Sequence, residues 1–122
     1  MGRRVLVIED EANISEAIRF ILSRDGWEVR THGDGADAAE VVARHAPDVL
    51  ILDVMLPGRS GLEILRSLRE VPQTRALPVL MLTAKGQSAD RAAAERYGAT
   101  RFMTKPFANA ELVATVRAMG AA

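Results

Sequence analysis

Three acidic side chains follow two short apolar runs in this 122-residue chain. Glu9 and Asp10 come directly after the run 5–8, and Asp53 comes directly after the run 49–52. Continuous aliphatic runs of this length are typical of strands buried on both faces, which belong to parallel sheets covered by helices. If the two strands are neighbours, their carboxyl ends bring the three carboxylates to the edge where such sheets bind ligands.

These three carboxylates predict a metal site. Ionised carboxylates a few ångströms apart repel one another in a partly dry crevice, so they stay ionised together only if a cation holds them. Oxygen ligands suit a hard ion, and we therefore expect Mg²⁺. A thiolate site is excluded because the chain has no cysteine. His32 and His45 lack the partners of a histidine metal site.

Composition excludes several classes of function. The chain has 16 basic and 16 acidic residues, so no net field attracts nucleic acid or anionic lipid. It has no apolar stretch long enough for a membrane span or a signal peptide, which predicts a cytoplasmic protein without a membrane partner. Its length predicts one domain over residues 1–122, with any C-terminal effector domain absent from this sequence.

Helical periodicity alternates with the strand runs. Gly26 is a stop signal for the first helix, Ser60 and Glu63 form a capping box for the third, and Asn109 caps the last. The predicted strands are 5–8, 28–32, 49–53, 79–82 and 100–103. Right-handed crossovers between them predict an α/β fold: a three-layer, doubly wound, five-stranded parallel sheet flanked by five helices.

With this pattern the chain resembles the receiver domain of bacterial two-component response regulators over residues 3–119. In LILDVMLPG, Asp53 matches the phosphoacceptor of that family, and Glu9 and Asp10 match its acidic metal-binding pair. The resemblance implies the strand order 2-1-3-4-5, which the chemotaxis member of the family shares.

Four further positions carry the resemblance. Thr83 stands at the switch hydroxyl of the family, Phe102 at its switch aromatic, and Lys105 at its lysine beside the acceptor. The bond that follows this lysine, Lys105–Pro106, corresponds to the cis peptide of the family, which aims the lysine inward. Finding all of these in the right order on the right strand ends is far more specific than any single motif.

The resemblance implies a phosphorelay receiver rather than an enzyme acting on a separate substrate. Asp53 would take a phosphoryl group from a phosphohistidine of a sensor kinase or phosphotransfer protein and form an acyl phosphate. Mg²⁺ would be held by Asp10, Asp53 and the backbone carbonyl of Met55, with Glu9 acting directly or through water. Phosphorylation of Asp53 would switch the surface of helix 4, strand 5 and helix 5, which would then meet a downstream effector.

By resemblance, Met55 and Lys85 lie beside the path of a water that attacks the phosphorus. Met55 offers no strong acceptor to orient that water, and Lys85 stays protonated near neutral pH. We therefore expect slow self-dephosphorylation.

A glycine motif allows a different function. Gly33-x-Gly35-x-x-Ala38 follows a predicted strand and precedes a predicted helix, with Asp53 about 20 residues on, as in dinucleotide-binding sites. The motif follows the second strand, however, and the chain lacks a second nucleotide-binding half. A dinucleotide-binding fragment is therefore the less favoured alternative.

Two other functions fit less well. An interaction module with an inactive site would lack an acid or the lysine, and none is missing. A phosphatase of the Asp-x-Asp type would need an acid at Met55.

Two departures from the family pattern matter. Glu9 stands where Asp is commoner and reaches one carbon further, so metal affinity is less well defined than the acceptor. Thr100 and Arg101 replace the acidic pair of winged-helix transcription regulators, which disfavours their mode of dimerisation. A phosphorylation-dependent homodimer of another kind stays open, as does the effector. Direct nucleic-acid binding is not expected.

Overall fold

Five short strands form one parallel sheet in the order β2-β1-β3-β4-β5, in a computed structural model that describes residues 3–84 and 88–120. The strands are Arg4–Ile8 (β1), Glu28–His32 (β2), Val49–Asp53 (β3), Val79–Ala84 (β4) and Arg101–Lys105 (β5). The helices are Ala12–Arg24 (α1), Ala38–His45 (α2), Gly61–Glu70 (α3), Ser88–Arg96 (α4) and Asn109–Gly120 (α5). The predicted fold class and strand order are confirmed.

The sheet separates two apolar cores, because alternate residues of each strand point to opposite faces. Val5 and Val7 of β1 lie in the core under α1 and α5, whereas Leu6 and Ile8 lie in the core under α2, α3 and α4. Every residue of β3 is buried. The continuous apolar runs are thus explained by burial on both faces. Among the described helices, none combines the length and hydropathy needed to cross a bilayer.

The fifth strand differs from its predicted bounds. It was expected at 100–103 but runs from Arg101 to Lys105, because its ladder with β4 continues to the pair Ala84 and Lys105. Polar residues near its end hid this continuation, since apolar character was the signal used to find strands. The extension places Lys105 on the sheet rather than in a loop.

Two predicted helix caps also differ in detail. Ser60 caps α3 as expected, since its hydroxyl accepts a hydrogen bond from the Leu62 N–H at 3.2 Å. The described residues show no reciprocal bond from Glu63 that would complete a capping box. Asn109 is already the first residue of α5, and the carbonyl of Ala108 accepts the hydrogen bond of the Leu112 N–H.

Candidate functional site

The predicted site residues meet at the carboxyl ends of the strands. Glu9 and Asp10 follow β1, while Asp53 is the last residue of β3 and Lys105 the last of β5. Thr83 is the penultimate residue of β4. Because β1, β3, β4 and β5 are adjacent and parallel, their ends line one edge of the sheet. His32 and His45 lie apart from this group, and His32 instead contacts Asp37 at 2.7 Å.

The three carboxylates form a compact cluster. One oxygen from each of Glu9, Asp10 and Asp53 lies within 4.8 Å of the others. Glu9 and Asp53 are buried, with only 2% and 1% of their surface exposed, whereas Asp10 is exposed. The cluster is therefore set into the end of the sheet and opens to solvent on the side of Asp10.

Lys105 supplies the positive charge of this cluster. Its Nζ donates hydrogen bonds to Asp53 Oδ2 at 3.0 Å, to Glu9 Oε1 at 3.1 Å and, more weakly, to Glu11 Oε1 at 3.4 Å. Burial alone would lower the pKa of Lys105, but hydrogen bonds and charge attraction from Asp53 and Glu9 outweigh it and raise the pKa. Lys105 thus stays an ammonium group.

Glu11 was not predicted to be part of the site. Its backbone N–H also donates to Glu9 Oε2 at 3.2 Å, so the residue supports Glu9 and contacts Lys105 at once. No motif marked it, and only its position directly after Asp10 could have drawn attention to it.

One ammonium group does not balance the buried acids. Burial, followed by the hydrogen bond and charge of the neighbouring Asp53, raises the pKa of Glu9 to about 7. The hydrogen bonds from the Glu11 N–H and from Lys105 act in the opposite direction and only partly offset this. The cluster therefore has room, electrostatically, for one more cation.

The donor set fits Mg²⁺. Carboxylate oxygens are hard ligands, and an ion with few protein ligands that keeps several waters suits a cluster open on one side. The Met55 backbone is held beside this cluster, because its N–H points to Asp53 Oδ1 at 3.4 Å. The Met55 side chain itself is 72% exposed and points to solvent.

The backbone of Asp53 is fixed by a tight contact with α3. A Cβ atom on Gly61 would lie 2.0 Å from the carbonyl oxygen of Asp53, so only glycine allows this approach. The Gly61 N–H also donates to the Val54 carbonyl at 2.9 Å. These contacts with the start of α3 fix the backbone position of Asp53, the predicted phosphoacceptor.

Thr83 has an unsatisfied hydroxyl. Its side chain is 1% exposed, and its Oγ1 finds no hydrogen-bond partner among the described residues. Leaving such a group buried without a partner costs about 1–3 kcal/mol. This buried hydroxyl lies on β4, the strand next to the one that ends at Asp53.

Phe102 lies on the same face of the sheet as Thr83 but outside the acidic cluster. Phe102 pairs with Met81, which lies two residues before Thr83 on β4 and therefore points to the same face of the sheet. The ring is partly buried against the core under α4, and the guanidinium of Arg91 lies 5.5 Å from its centroid.

Two further predicted features concern residues next to the site. The Lys105–Pro106 peptide bond is cis. Lys85 lies outside the described residues.

The perturbed Glu9 generates a testable pH dependence. An acid whose pKa is higher in the folded state contributes stability that is present below the unfolded pKa, 4.5, and lost as pH rises through about 7. Gln at this position does not titrate. The free energy of unfolding of Glu9→Gln minus that of the parent should therefore be larger at pH 8 than at pH 5, by about 1–3 kcal/mol, since each pKa unit corresponds to ~1.4 kcal/mol.

Urea unfolding of both proteins in EDTA at the two pH values measures this difference, and titrating groups that do not contact Glu9 cancel in the comparison. A difference in stability that is the same at pH 5 and pH 8 would contradict the raised pKa.

The comparisons with known proteins agree with this fold. A family model described as the response regulator receiver domain matches residues 5–117. The receiver domain of NtrX from Brucella abortus is 32% identical, with 96% of this chain and 98% of that chain covered and a TM-score of 0.88. The chemotaxis response regulator CheY4 of Vibrio cholerae is 30% identical, with 95% and 97% covered and a TM-score of 0.87.

A third similar structure is a receiver domain that belongs to a histidine kinase. The signal receiver domain of a signal transduction histidine kinase from Syntrophus aciditrophicus is 28% identical, with 97% of this chain and 89% of that chain covered and a TM-score of 0.90. On the extent of the family match and on these likenesses, the chain belongs to the response regulator receiver domain family.

Proposed function

We propose that this chain is a phosphorelay receiver in which the carboxylate of Asp53 accepts a phosphoryl group from a kinase phosphohistidine. The observation that carries this proposal is the environment of Asp53. A buried carboxylate lies against the ammonium group of Lys105 and two further acids, with the unsatisfied hydroxyl of Thr83 on the next strand. A structural ion pair would need neither the extra acids nor the orphaned hydroxyl.

The proposed step is a single displacement at phosphorus. An oxygen of Asp53 forms the new P–O bond as the P–N bond to the histidine breaks, and the imidazole leaves with the electron pair of that bond. Phosphoryl transfer passes through a loose transition state, so the protein acts mainly by positioning and by stabilising charge. The tight backbone contact at Gly61 holds Asp53 in place for this attack.

The acidic residues prepare the site for a cation. We expect Mg²⁺ to be held by Asp10, Asp53 and the Met55 carbonyl, with Glu9 acting directly or through water. The bound ion would supply positive charge to the carboxylate and to the phosphoryl oxygens. Lys105 adds a positive charge from the other side, since its Nζ already lies 3.0 Å from Asp53 Oδ2. Once Asp53 is phosphorylated, this ammonium group can donate to a phosphoryl oxygen instead.

Thr83 would report phosphorylation to the rest of the domain. A phosphoryl group carries close to two negative charges and strong acceptors, which satisfy the buried Thr83 hydroxyl. Two charge-assisted hydrogen bonds, from Thr83 and Lys105, supply about 3–6 kcal/mol, comparable with the roughly 5.5 kcal/mol that inverts a 1:99 equilibrium. Movement of Thr83 leaves space into which Phe102 turns, reshaping the surface of α4, β5 and α5.

The partners follow from this chemistry. The donor is a sensor histidine kinase or a phosphotransfer protein, and the reshaped surface addresses an effector protein or an effector domain. The occurrence of a similar receiver domain within a histidine kinase of Syntrophus aciditrophicus supports such a connection. We propose residues 1–122 as one receiver domain that works as a unit in this exchange.

The acceptor and its metal can be tested with acetyl phosphate. We expect the protein to gain one phosphoryl group in Mg²⁺ but not in EDTA, because the acidic cluster otherwise repels the donor. Asp53→Asn should abolish the gain, as measured by intact mass. Asp48→Asn serves as the control and should label like the parent, because Asp48 directly precedes β3 at the end of the strand opposite to Asp53. Labelling in EDTA, or of Asp53→Asn, would contradict the assignment.

The lifetime of the phosphorylated state is a second test. The exposed Met55 cannot orient an attacking water, whereas an amide at this position can. Met55→Asn should therefore speed the loss of phosphate about tenfold, or ~1.4 kcal/mol in the barrier. The measurement is the decay of phosphorylated protein in Mg²⁺ after removal of the donor. Equal decay of Met55→Asn and the parent, or slower decay of Lys85→Ala, would refute this reading of the two positions.

A further inference from the structure

The glycine motif after β2 packs against the loop that follows Asp53. Gly35 is buried, and its N–H donates to the carbonyl oxygen of Pro57 at 3.0 Å. A Cβ atom on Gly35 would lie 2.3 Å from the carbonyl oxygen of Arg59 and 3.1 Å from a methyl carbon of Ile64. Because the nearest atom belongs to the backbone of Arg59, the loop that follows Asp53 would have to move to admit a side chain at position 35.

A second contact interlocks the same two loops. The Oδ1 of Asp34 accepts a hydrogen bond from the Ala36 N–H at 2.6 Å, which fixes the turn. On the opposite side, a Cβ atom on Gly58 would lie 2.6 Å from that same oxygen. Gly58 also has a φ of +83°, a conformation that favours glycine. Each loop thus presents a glycine to the other, and the two loops are closely packed at both points.

The loop held in this way, residues 54–60, carries the Met55 backbone. Its first residue is anchored because the Val54 N–H donates to the Leu82 carbonyl at 2.9 Å, and its end is anchored by the Gly61 contact with Asp53. Between these anchors, the contacts of Gly35 with Pro57 and Arg59 restrain the middle of the loop. These contacts restrain the chain before and after Met55, and through the backbone they limit where the Met55 carbonyl can lie.

We infer that the Asp34–Gly35 turn is a positioning element for the metal site, acting through the 54–60 loop on the Met55 carbonyl. This inference rests on the proposed function, in which that carbonyl is a ligand of Mg²⁺. It also accounts for the dinucleotide-like motif. Gly35 lets the backbone approach the carbonyl oxygen of Arg59 rather than a ligand. The 54–60 loop therefore occupies the space that a pyrophosphate would need.

The test compares alanine substitutions at two glycines of the same loop. Gly35→Ala should weaken Mg²⁺ binding about 10- to 100-fold, the range typical when a group supporting a metal ligand is changed. Gly33→Ala is the matched control, since its Cβ would meet only the Glu9 carbonyl oxygen at an ordinary 3.9 Å. Its affinity should stay within about twofold of the parent. Mg²⁺ titration followed by amide NMR, without any phosphodonor, gives the dissociation constants.

The outcomes separate positioning from mere destabilisation. Thermal unfolding in EDTA gives the stability of each variant, and a merely structural role would lower stability without changing the Mg²⁺ affinity of the folded protein. Parent-like affinity in Gly35→Ala, or an equal loss in Gly33→Ala, overturns the inference. If Gly35→Ala does not fold, Asp34→Ala takes its place, and unchanged affinity in that variant overturns the inference equally.

Failure of the proposed function gives a different pattern. In that case the parent itself shows no Mg²⁺ binding that Asp53→Asn weakens. The inference alone fails when the parent binds Mg²⁺ through Asp53 but Gly35→Ala binds it just as tightly.

Discussion

Two buried carboxylates, Glu9 and Asp53, share one ammonium group, that of Lys105, and this charge imbalance governs the site. Burying ionised groups is costly unless they are paired and hydrogen-bonded. The imbalance is visible in the pKa of Glu9, which burial and the neighbouring Asp53 raise to about 7. A site that holds surplus negative charge beside an exposed acid suits a cation, and in the proposed function this cation lets a phosphoryl group approach Asp53.

The parallel sheet makes this arrangement possible. Residues that are far apart in sequence arrive at one edge because adjacent strands end there, and the apolar runs behind them are buried on both faces. The core thus holds the backbone of Asp53 rigidly while its side chain faces the opening. Glycines complete the support, since Gly61 and Gly35 let neighbouring backbone approach more closely than any side chain would allow. In the proposed function this support matters, because a protein promotes phosphoryl transfer mainly by positioning the reacting groups and stabilising charge.

The sequence predicted those features that depend on local patterns. Apolar runs located the strands, and the acids that follow them located the cluster of Glu9, Asp10 and Asp53, which the structure brings together. The resemblance to a known family also gave the strand order, but other features that depend on three-dimensional packing were not predicted. The end of β5 was missed because its last residues are polar, and the contact of Glu11 with Lys105 joins residues 94 positions apart. The role of Gly35 could not be recognised, because its partner is a carbonyl oxygen that no sequence pattern marks.

In the proposed function, a phosphoryl group on Asp53 binds the buried, unsatisfied hydroxyl of Thr83, and this contact carries the signal to the rest of the domain. Amide NMR spectra recorded while beryllofluoride and Mg²⁺ are added test it most directly. Thr104→Ala is the control, because Thr104 pairs with Thr83 across the ladder but is exposed. We predict that shifts in the parent and in Thr104→Ala spread from the loops around Asp53 into α4, β5 and α5, whereas in Thr83→Ala they stay confined to those loops. Shifts confined to the loops in the parent, or shifts that reach α5 undiminished in Thr83→Ala, would contradict the account.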